Sequence, residues 1–134
     1  MNRTAISDPG SRPWFEGYLN AFNARDYDGF GAFYAQDVAF RGQAASLDGR
    51  DAVMNFYRDV HRRLDEHIDL LGYVGSPSLA AAEIRTTLVA REDWPDFPTG
   101  PLEKGDRRQS INFAFYDIGN GLFTRIRSAR FARL

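Results

Sequence analysis

Two histidines are the side chains of this sequence best suited to proton transfer near neutral pH. His67 begins a stretch of strand-like alternation, and Asp69 follows on the same strand face, where its carboxylate can orient the imidazole ring. The alternative is a surface histidine at the start of a strand, flanked by Asp65 and Glu66. His61 lies at the edge of an apolar helical stripe, a position more typical of a solvated helix edge. The pattern makes His67 a candidate general base and leaves the surface histidine open as the alternative.

A metal site is not expected. The two histidines have no recognised ligand spacing, and the chain contains no cysteine, which excludes thiolate ligands, disulfides and thiol nucleophiles. The sequence also lacks a glycine-rich phosphate loop, a serine nucleophile motif and a dinucleotide fingerprint. We therefore expect any chemistry to proceed without a cofactor.

Tyr18 and Tyr57 place phenolic hydroxyls within two apolar helical stripes. Two such hydroxyls pointing into a cavity could polarise a carbonyl group or hold a phenol. Two tyrosines of an ordinary core would instead satisfy each other's hydroxyls. The sequence leaves both interpretations open, and both tyrosines are candidates for the site.

Aromatic side chains form a second class of candidates, as residues that contact a bound substrate. Each is more often part of a core, but a cavity in a small domain is an unfilled core, so some rings can serve both purposes. The candidates are Trp14, Phe22, Phe40, Phe56, Phe113 and Phe115.

Two arginines and a proline-rich segment complete the candidate site. Arg41 and Arg85 are candidates for positive charge beside a substrate. Residues 92–105 hold three of the six prolines, and Trp94 within this segment suits a flap that covers the mouth of a cavity and excludes water. Strand parity alone does not decide which face of a sheet is occupied by Glu83, Arg85, Arg125 and Arg127.

Helical spacing comes first along the chain, and strand alternation follows. Apolar spacing predicts a first helix that begins near Ser11, a second over residues 27–34 with Asp26 as its N-cap, and a third that opens at Asp48-Gly49. From residue 66 the period changes from about 3.6 residues to about 2. The predicted strands cover residues 38–42, 66–75, 79–91, 109–116 and 122–131.

Composition is typical of one globular domain. The 134 residues are 43% hydrophobic and 26% charged, enough for a core without disulfides or a metal. We expect a flexible arm over residues 1–10 and a single α+β domain over residues 11–134. A net charge of −1 provides no field that would attract nucleic acid or anionic lipid. No segment approaches the roughly 20 apolar residues of a membrane span, so a cytoplasmic location is expected.

The order and spacing of four segments resemble the nuclear transport factor 2-like superfamily, in its SnoaL-like branch. The resemblance covers residues 14–131 and implies a cone-shaped, mostly antiparallel sheet wrapped around N-terminal helices, also described as a cystatin-like roll. It further implies an open end that admits a small apolar ligand, and a homodimer formed through the sheet. The segments are YLNAFNARDYDGF, FYAQDVAF, LDGRDAVMNFY and DIGNGLFTRIRSARF.

Ketosteroid isomerase, one enzyme of this superfamily, gives expectations for individual residues. The resemblance places Tyr18 on the tyrosine that donates a hydrogen bond to the developing enolate, and Tyr57 on a second tyrosine that supports the first. The base carboxylate of that enzyme is replaced by Gly42, and its second carboxyl donor by Ile111. A steroid isomerase of that design is therefore not expected.

Scytalone dehydratase gives a second set of expectations. The resemblance places His67 on a catalytic histidine of that enzyme, at the start of the strand after the third helix. The helix aspartate of that enzyme is replaced by Asn20, and its second histidine has no counterpart near residues 105–112. The chain therefore keeps part of each catalytic set and completes neither.

Together, these observations favour a cofactor-independent acid/base enzyme of the dehydratase, isomerase, cyclase or lyase type. Its substrate would be a small hydrophobic metabolite, aromatic or polycyclic, bound in an internal cavity. His67 would act as the base, and Tyr18 would donate to the developing oxyanion with support from Tyr57.

The alternative is a non-catalytic protein of the same fold that binds a small ligand or serves as a dimerising scaffold. The missing carboxylates at Gly42 and Ile111 favour it. An enzyme needs at least two titratable groups that converge on one void, whereas the void of a carrier is lined by rings and aliphatic side chains alone.

Overall fold

The computed structural model describes residues 8–134, and its helices lie in the first half of this range. They are α1 (Arg12–Asn23), α2 (Tyr27–Gly31) and α3 (Arg50–Arg63). Ser11 caps α1 by accepting a hydrogen bond from the Trp14 amide at 3.2 Å, and Asp26 caps α2 by accepting from the Gly29 amide at 3.0 Å. Both helix starts agree with the sequence prediction.

The second helix is shorter than predicted. The amide of Phe123 donates to the carbonyl of Phe33 at 2.7 Å, and Tyr34 pairs with Phe123 in the sheet. This pairing pulls the chain out of the helix after Gly31, so that Tyr34 opens a strand. The prediction of a helix through residue 34 was wrong in its last turn.

Six strands form one sheet in the order β2-β1-β6-β5-β4-β3. Only β1 and β6 run parallel, and the other neighbours are antiparallel. The predicted α+β architecture, with a curved and mostly antiparallel sheet around the N-terminal helices, is therefore confirmed. The strands are β1 (Tyr34–Arg41), β2 (Ser46–Asp48), β3 (Leu64–Gly75), β4 (Leu79–Ala90), β5 (Arg107–Gly119) and β6 (Leu122–Arg133).

Aromatic rings fill the core between α1 and the concave face of the sheet. Phe15 meets Tyr116 edge to face, with ring centroids 4.9 Å apart. Burying each such ring contributes about 1.5–3 kcal/mol, and edge-to-face contacts fix the relative orientation of the rings. The largest fully buried side chains of this core are Phe15, Phe22, Phe30, Tyr34 and Phe123.

The flap, residues 92–105, packs over a second small cluster. Trp94 and Leu102 form an isolated β-bridge, and Trp94 meets Phe97 with ring centroids 4.9 Å apart. The guanidinium of Arg63 lies 3.9 Å from the centre of the Trp94 ring, a cation–π contact that ties the flap to the end of α3. The flap is thus an ordered part of the domain.

The expected N-terminal arm is only partly described, since residues 1–7 lie outside the described residues. Gly10 is buried, and its carbonyl accepts a hydrogen bond from the Tyr73 hydroxyl at 2.7 Å. The chain is therefore fixed to the sheet from Gly10 onward. Within residues 8–134, no helix combines the length and apolar character that crossing a bilayer requires.

Candidate active site

A cavity of about 170 Å³ lies between α1, α3 and the concave face of the sheet. Its walls are mostly apolar. Tyr18, Tyr57, Glu66 and Tyr116 are among the side chains that line it. Polar and charged residues of the flap and of the last two strands also line it, and Arg130 and Arg133 are exposed there, so this side is called the mouth of the cavity.

Glu66 and His61 form a buried pair at the cavity wall. Nε2 of His61 lies 3.0 Å from Oε1 of Glu66, and Nδ1 lies 3.2 Å from the Tyr27 hydroxyl. The imidazole side chain is 1% exposed and the Glu66 side chain 14%. Tyr57 stacks on the imidazole, with ring centroids 5.6 Å apart. Both ring nitrogens of His61 therefore have a hydrogen-bond partner, the Glu66 carboxylate at Nε2 and the Tyr27 hydroxyl at Nδ1.

The junction between α3 and β3 brings this pair together. The helix ends at Arg63 and the strand begins at Leu64, so His61 on the last helical turn and Glu66 near the strand start face each other. On β3 the alternation places Leu64, Glu66 and Ile68 on the concave face. Oε2 of Glu66 has no hydrogen-bond partner within residues 8–134 and is available to a ligand.

His67 takes the opposite face of β3, and its side chain is 58% exposed. Its Nε2 lies 3.1 Å from Oδ1 of Asp69, as the sequence predicted, but the pair lies outside the cavity. Arg85 lies 3.0 Å from Oδ2 of Asp69. Its hydrogen bond, with a smaller effect of His67, lowers the pKa of Asp69. The placement of His67 and Arg85 in the cavity was therefore wrong, because both point outward from the sheet.

The cavity tyrosines are not paired as the sequence suggested. The hydroxyl of Tyr18 lies 2.7 Å from that of Tyr34, a residue that the prediction had assigned to a helix. The hydroxyls of Tyr57 and Tyr116 have no hydrogen-bond partner among the described residues, and both side chains line the cavity. The structure thus replaces a Tyr18–Tyr57 pair with a Tyr18–Tyr34 pair and leaves two hydroxyls free to donate.

Burial keeps these phenols protonated. It is the main cause that raises the pKa values of Tyr18, Tyr57 and Tyr116 well above the ordinary value, and the charge of Glu66 raises those of Tyr18 and Tyr57 further. A protonated phenol in an apolar wall is a hydrogen-bond donor for an oxygen that gains negative charge.

Two of the predicted aromatic contacts line the cavity, namely Phe40 and Phe56. Trp14 and Phe22 belong to the core behind it. Trp94 lies in the flap cluster, and Phe97 is the flap ring that reaches the cavity. As lining residues of the cavity, Trp14, Phe22 and Trp94 were predicted wrongly, because the helix and flap faces that carry them pack against other side chains.

Phe113 and Phe115 face outward on β5 and are 42% and 46% exposed, because the cavity side of that strand belongs to Ser110, Asn112, Ala114 and Tyr116. The same parity turns Ile111 away from the cavity.

Arg41 also points away from the cavity. It lies 2.9 Å from Asp48 across the β1–β2 pair, on the solvent side. Gly42, directly after it, does line the cavity. The wall at this point therefore carries no carboxylate, and Glu66 supplies one from β3 instead.

Sequence reasoning missed Glu66, Tyr34 and Tyr116 as site residues. A signal for Glu66 was present, because Leu64 and Ile68 are apolar and share its parity on the strand. Within residues 8–134, no group of three or more potential metal-ligating side chains lies close enough together to hold an ion.

Comparisons with known proteins agree with this architecture. Residues 15–126 match the family model of the SnoaL-like domain. A candidate polyketide cyclase of Xanthomonas campestris pv. campestris is 25% identical, with a TM-score of 0.72 over 85% of this chain and 84% of its own. No curated protein matches the chain.

Two further solved structures show the fold alone. An LEH-like epoxide hydrolase of M. tuberculosis is 15% identical, with a TM-score of 0.69 over 87% of this chain and 78% of its own. A candidate ketosteroid isomerase of Kribbella flavida is 16% identical, with a TM-score of 0.62 over 89% and 76%. These likenesses confirm the predicted fold.

Proposed function

The chain belongs to the family of SnoaL-like domains, and from this premise we propose that it is an acid/base enzyme with Glu66 as its base. The proposed substrate is a small hydrophobic metabolite, aromatic or polycyclic, and the reaction is a dehydration, isomerisation, cyclisation or lyase cleavage. The observation that carries the proposal is the convergence on one cavity of a carboxylate and two phenols that have no hydrogen-bond partner among residues 8–134. His67, the base predicted from the sequence, is replaced in this role because it faces solvent.

Glu66 is positioned to remove a proton from a carbon next to a carbonyl group. Its Oε1 is held by Nε2 of His61 at 3.0 Å, which orients the carboxylate and leaves Oε2 for the substrate. Tyr27 holds the imidazole from the other side. A base in this position contributes roughly 10²–10⁴-fold to the rate.

Tyr57 and Tyr116 are the proposed donors to the oxygen that becomes negative when the proton leaves. A positioned donor of this kind contributes on the order of 10²–10³-fold, because it needs no reorganisation at the moment of reaction. The proton on Glu66 then returns to another carbon in an isomerisation, or to a departing hydroxyl group in a dehydration. In the dehydration the enolate expels the hydroxyl group, so that the C–O bond breaks and the departing oxygen takes the proton from Glu66 to form water. Neither reaction changes the overall oxidation level of the substrate, so no redox partner is needed.

The enclosure of the site supports the same proposal. Phe97 and Thr99 bring the flap to the cavity mouth, and Phe40, Phe56 and Ile84 form apolar walls. Apolar walls exclude water and strengthen the electrostatic interactions inside. The structural neighbour that is 25% identical is described as a candidate polyketide cyclase, which is a class of enzyme, and this supports the proposal by analogy.

The experiment compares Glu66→Gln with the matched outer variant Asp69→Asn. The probe is 2-tetralone, a bicyclic ketone whose hydrogens beside the carbonyl exchange in D₂O and can be followed by proton NMR. We expect the wild-type protein to accelerate exchange, Glu66→Gln to lose that acceleration by roughly 10²–10⁴-fold, and Asp69→Asn to retain it. Full acceleration in Glu66→Gln, or none in the wild type, would overturn the proposal.

The alternative function, a non-catalytic carrier, is distinguished by the same measurement. A carrier would bind 2-tetralone without accelerating its exchange, and Glu66→Gln would then change binding alone. The titratable groups at the cavity wall favour the enzyme, because a carrier of an apolar ligand gains nothing from a buried carboxylate.

We also propose that the outer face of the sheet forms a homodimer. Phe113 and Phe131 are 42% and 67% exposed there, with ring centroids 5.0 Å apart, and Phe115 lies on the same face. Exposed rings grouped in this way are typical of an interaction surface. Sedimentation equilibrium tests the proposal, and a monomer at micromolar concentration would overturn it.

A further inference from the structure

The mouth of the cavity carries positive charge that no residue of the described chain neutralises. Arg108, Arg130 and Arg133 all line it. We propose that the substrate bears a carboxylate, that Arg130 and Arg133 bind this group at the mouth, and that the apolar body of the substrate extends across the cavity to Glu66 on β3. The inference rests on the proposed function for the position of the reacting carbon and adds the class of substrate.

A β-bulge in β6 aims both arginines at the mouth. In the register with β5, Ala132 pairs with Ile111 and Arg130 pairs with Asn112, so Phe131 is an extra residue. In a regular strand, residues three apart lie on opposite faces. Because of the bulge, Arg130 and Arg133 lie on the same face of the sheet. Phe131 points outward and is 67% exposed.

The arginines of the same strand differ in their partners. On the outer face, Arg125 and Arg127 lie 3.3 and 3.1 Å from the carboxylate of Asp117. Within residues 8–134, Arg130 and Arg133 form neither an ion pair nor a side-chain hydrogen bond. Their guanidinium groups are therefore free to bind a ligand.

Arg108 has a different task. Its guanidinium donates to the carbonyls of Gly100 at 3.2 Å and Pro101 at 2.9 Å, which fixes the flap beside the mouth. Its positive charge remains, but its donors are largely used. Arg130 and Arg133 are thus the arginines whose donors can form the planar paired hydrogen bonds that a carboxylate accepts.

Neutral polar groups beside the arginines suit the same ligand. Ser110, Asn112 and Ser128 line the cavity on the strands that carry them. Asn112 donates to Thr86 and Ser110 at 3.2 Å each, which holds the amide in place. Among the described residues that line the cavity, Glu66 is the single carboxylate, and it is bonded to His61. An anion bound by Arg130 and Arg133 on β6 therefore meets positive charge, and Glu66 on β3 acts on the apolar body across the cavity.

The test measures binding rather than turnover, by isothermal titration with 2-naphthoate and its neutral analogue 2-naphthamide. We expect the wild type to bind the carboxylate about tenfold more tightly than the amide or better. In Arg130→Gln/Arg133→Gln the two ligands should bind within about twofold of each other. Arg125→Gln, on the outer face of the same strand, is the matched control and should keep the preference. The preference should also weaken as salt is added.

A second variant separates charge from structure. Arg130→Lys/Arg133→Lys keeps the positive charge and should retain part of the preference, and unchanged melting temperatures would show that all variants fold. Should the double Gln variant fail to fold, the single variants Arg130→Gln and Arg133→Gln replace it and should each lose part of the preference. Equal or absent binding of the two ligands by the wild type, or a full preference in the Gln variants, would overturn the inference.

The outcome is distinguishable from failure of the proposed function. Glu66→Gln should keep the preference for 2-naphthoate, because the arginines that are proposed to bind the carboxylate lie on β6 and Glu66 lies on β3, with β5 and β4 between them. A protein that prefers the carboxylate but does not accelerate exchange of 2-tetralone overturns the proposed function alone. A protein that accelerates exchange without the preference overturns this inference alone.

Discussion

Two histidine–carboxylate pairs lie on opposite faces of β3, and their spacing is nearly the same. His61 and Glu66 are 3.0 Å apart at the concave face, and His67 and Asp69 are 3.1 Å apart at the outer face. The imidazole is 1% exposed in the inner pair and 58% exposed in the outer pair. The comparison shows that a short distance between a histidine and a carboxylate does not by itself locate a cavity, since the element packed against each face decides which carboxylate lines it.

The carboxylates of the two pairs also differ in their other contacts. Asp69 also binds Arg85 at 3.0 Å, so one of its oxygens is engaged by a guanidinium group and the other by an imidazole ring in a solvated network. Within residues 8–134, the Glu66 carboxylate is bonded to His61 alone and keeps one oxygen free. Glu66 therefore has an oxygen that can contact a ligand in the cavity, whereas both oxygens of Asp69 are occupied outside it.

The largest expected difference between the two pairs is in what each histidine contributes to the stability of the protein. His61→Ala should lower the free energy of unfolding by about 2–4 kcal/mol, because it opens a cavity and leaves Glu66 without its donor. His67→Ala should change it by less than about 0.5 kcal/mol, because the side chain is exposed. Urea denaturation of both variants provides the measurement. An equal loss of unfolding free energy in the two variants would contradict the prediction that the inner pair contributes more to stability than the outer pair.

A smaller effect separates the two roles of the cavity tyrosines. Tyr18→Phe should cost about 1–2 kcal/mol of stability, because Tyr34 loses its hydroxyl partner in the core. Tyr57→Phe should cost less than about 0.5 kcal/mol, because its hydroxyl has no protein partner, while slowing exchange of 2-tetralone by on the order of 10²-fold. Urea denaturation and the exchange assay are run on both variants. A stable and fully active Tyr57→Phe would remove Tyr57 from the proposed mechanism.

The fold could be predicted from the sequence because the patterns that indicate its helices and strands involve residues close together in the chain. Helix caps at Ser11 and Asp26 and the alternation along β4 are set by residues close in sequence. The site did not follow, because it depends on which face of β3 meets α3. Leu64 directly follows α3 in the chain, and it is already the first residue of β3 and fully buried there. Counting parity from Leu64 places Glu66 inside and His67 outside.

Long-range pairing accounts for the remaining differences. The parallel contact between β1 and β6 joins residues about 90 positions apart, and nothing local in either strand specifies it. That contact ends α2 early and brings Tyr34 next to Tyr18. The bulge at Phe131 is likewise visible only in the register between β5 and β6. The chemistry of the mouth and of the tyrosine pair therefore required the structure.

The smallest expected effect concerns the outer pair and its pH dependence. The hydrogen bond from Arg85, with a smaller effect of His67, lowers the pKa of Asp69 from its ordinary value of 3.8. Because the pKa of Asp69 is lower in the folded protein than in the unfolded chain, its ionised carboxylate stabilises the fold at any pH above the unfolded-state pKa. This stabilisation is lost as the pH falls through the folded-state pKa. Asp69→Asn should therefore cost less than about 1 kcal/mol near neutral pH, because the pair is exposed and screened. Urea denaturation should show wild type and variant converging as the pH falls below about 4. A difference that persists unchanged in acid, or that exceeds the loss caused by His61→Ala, would mean that the outer pair and not the inner one anchors β3.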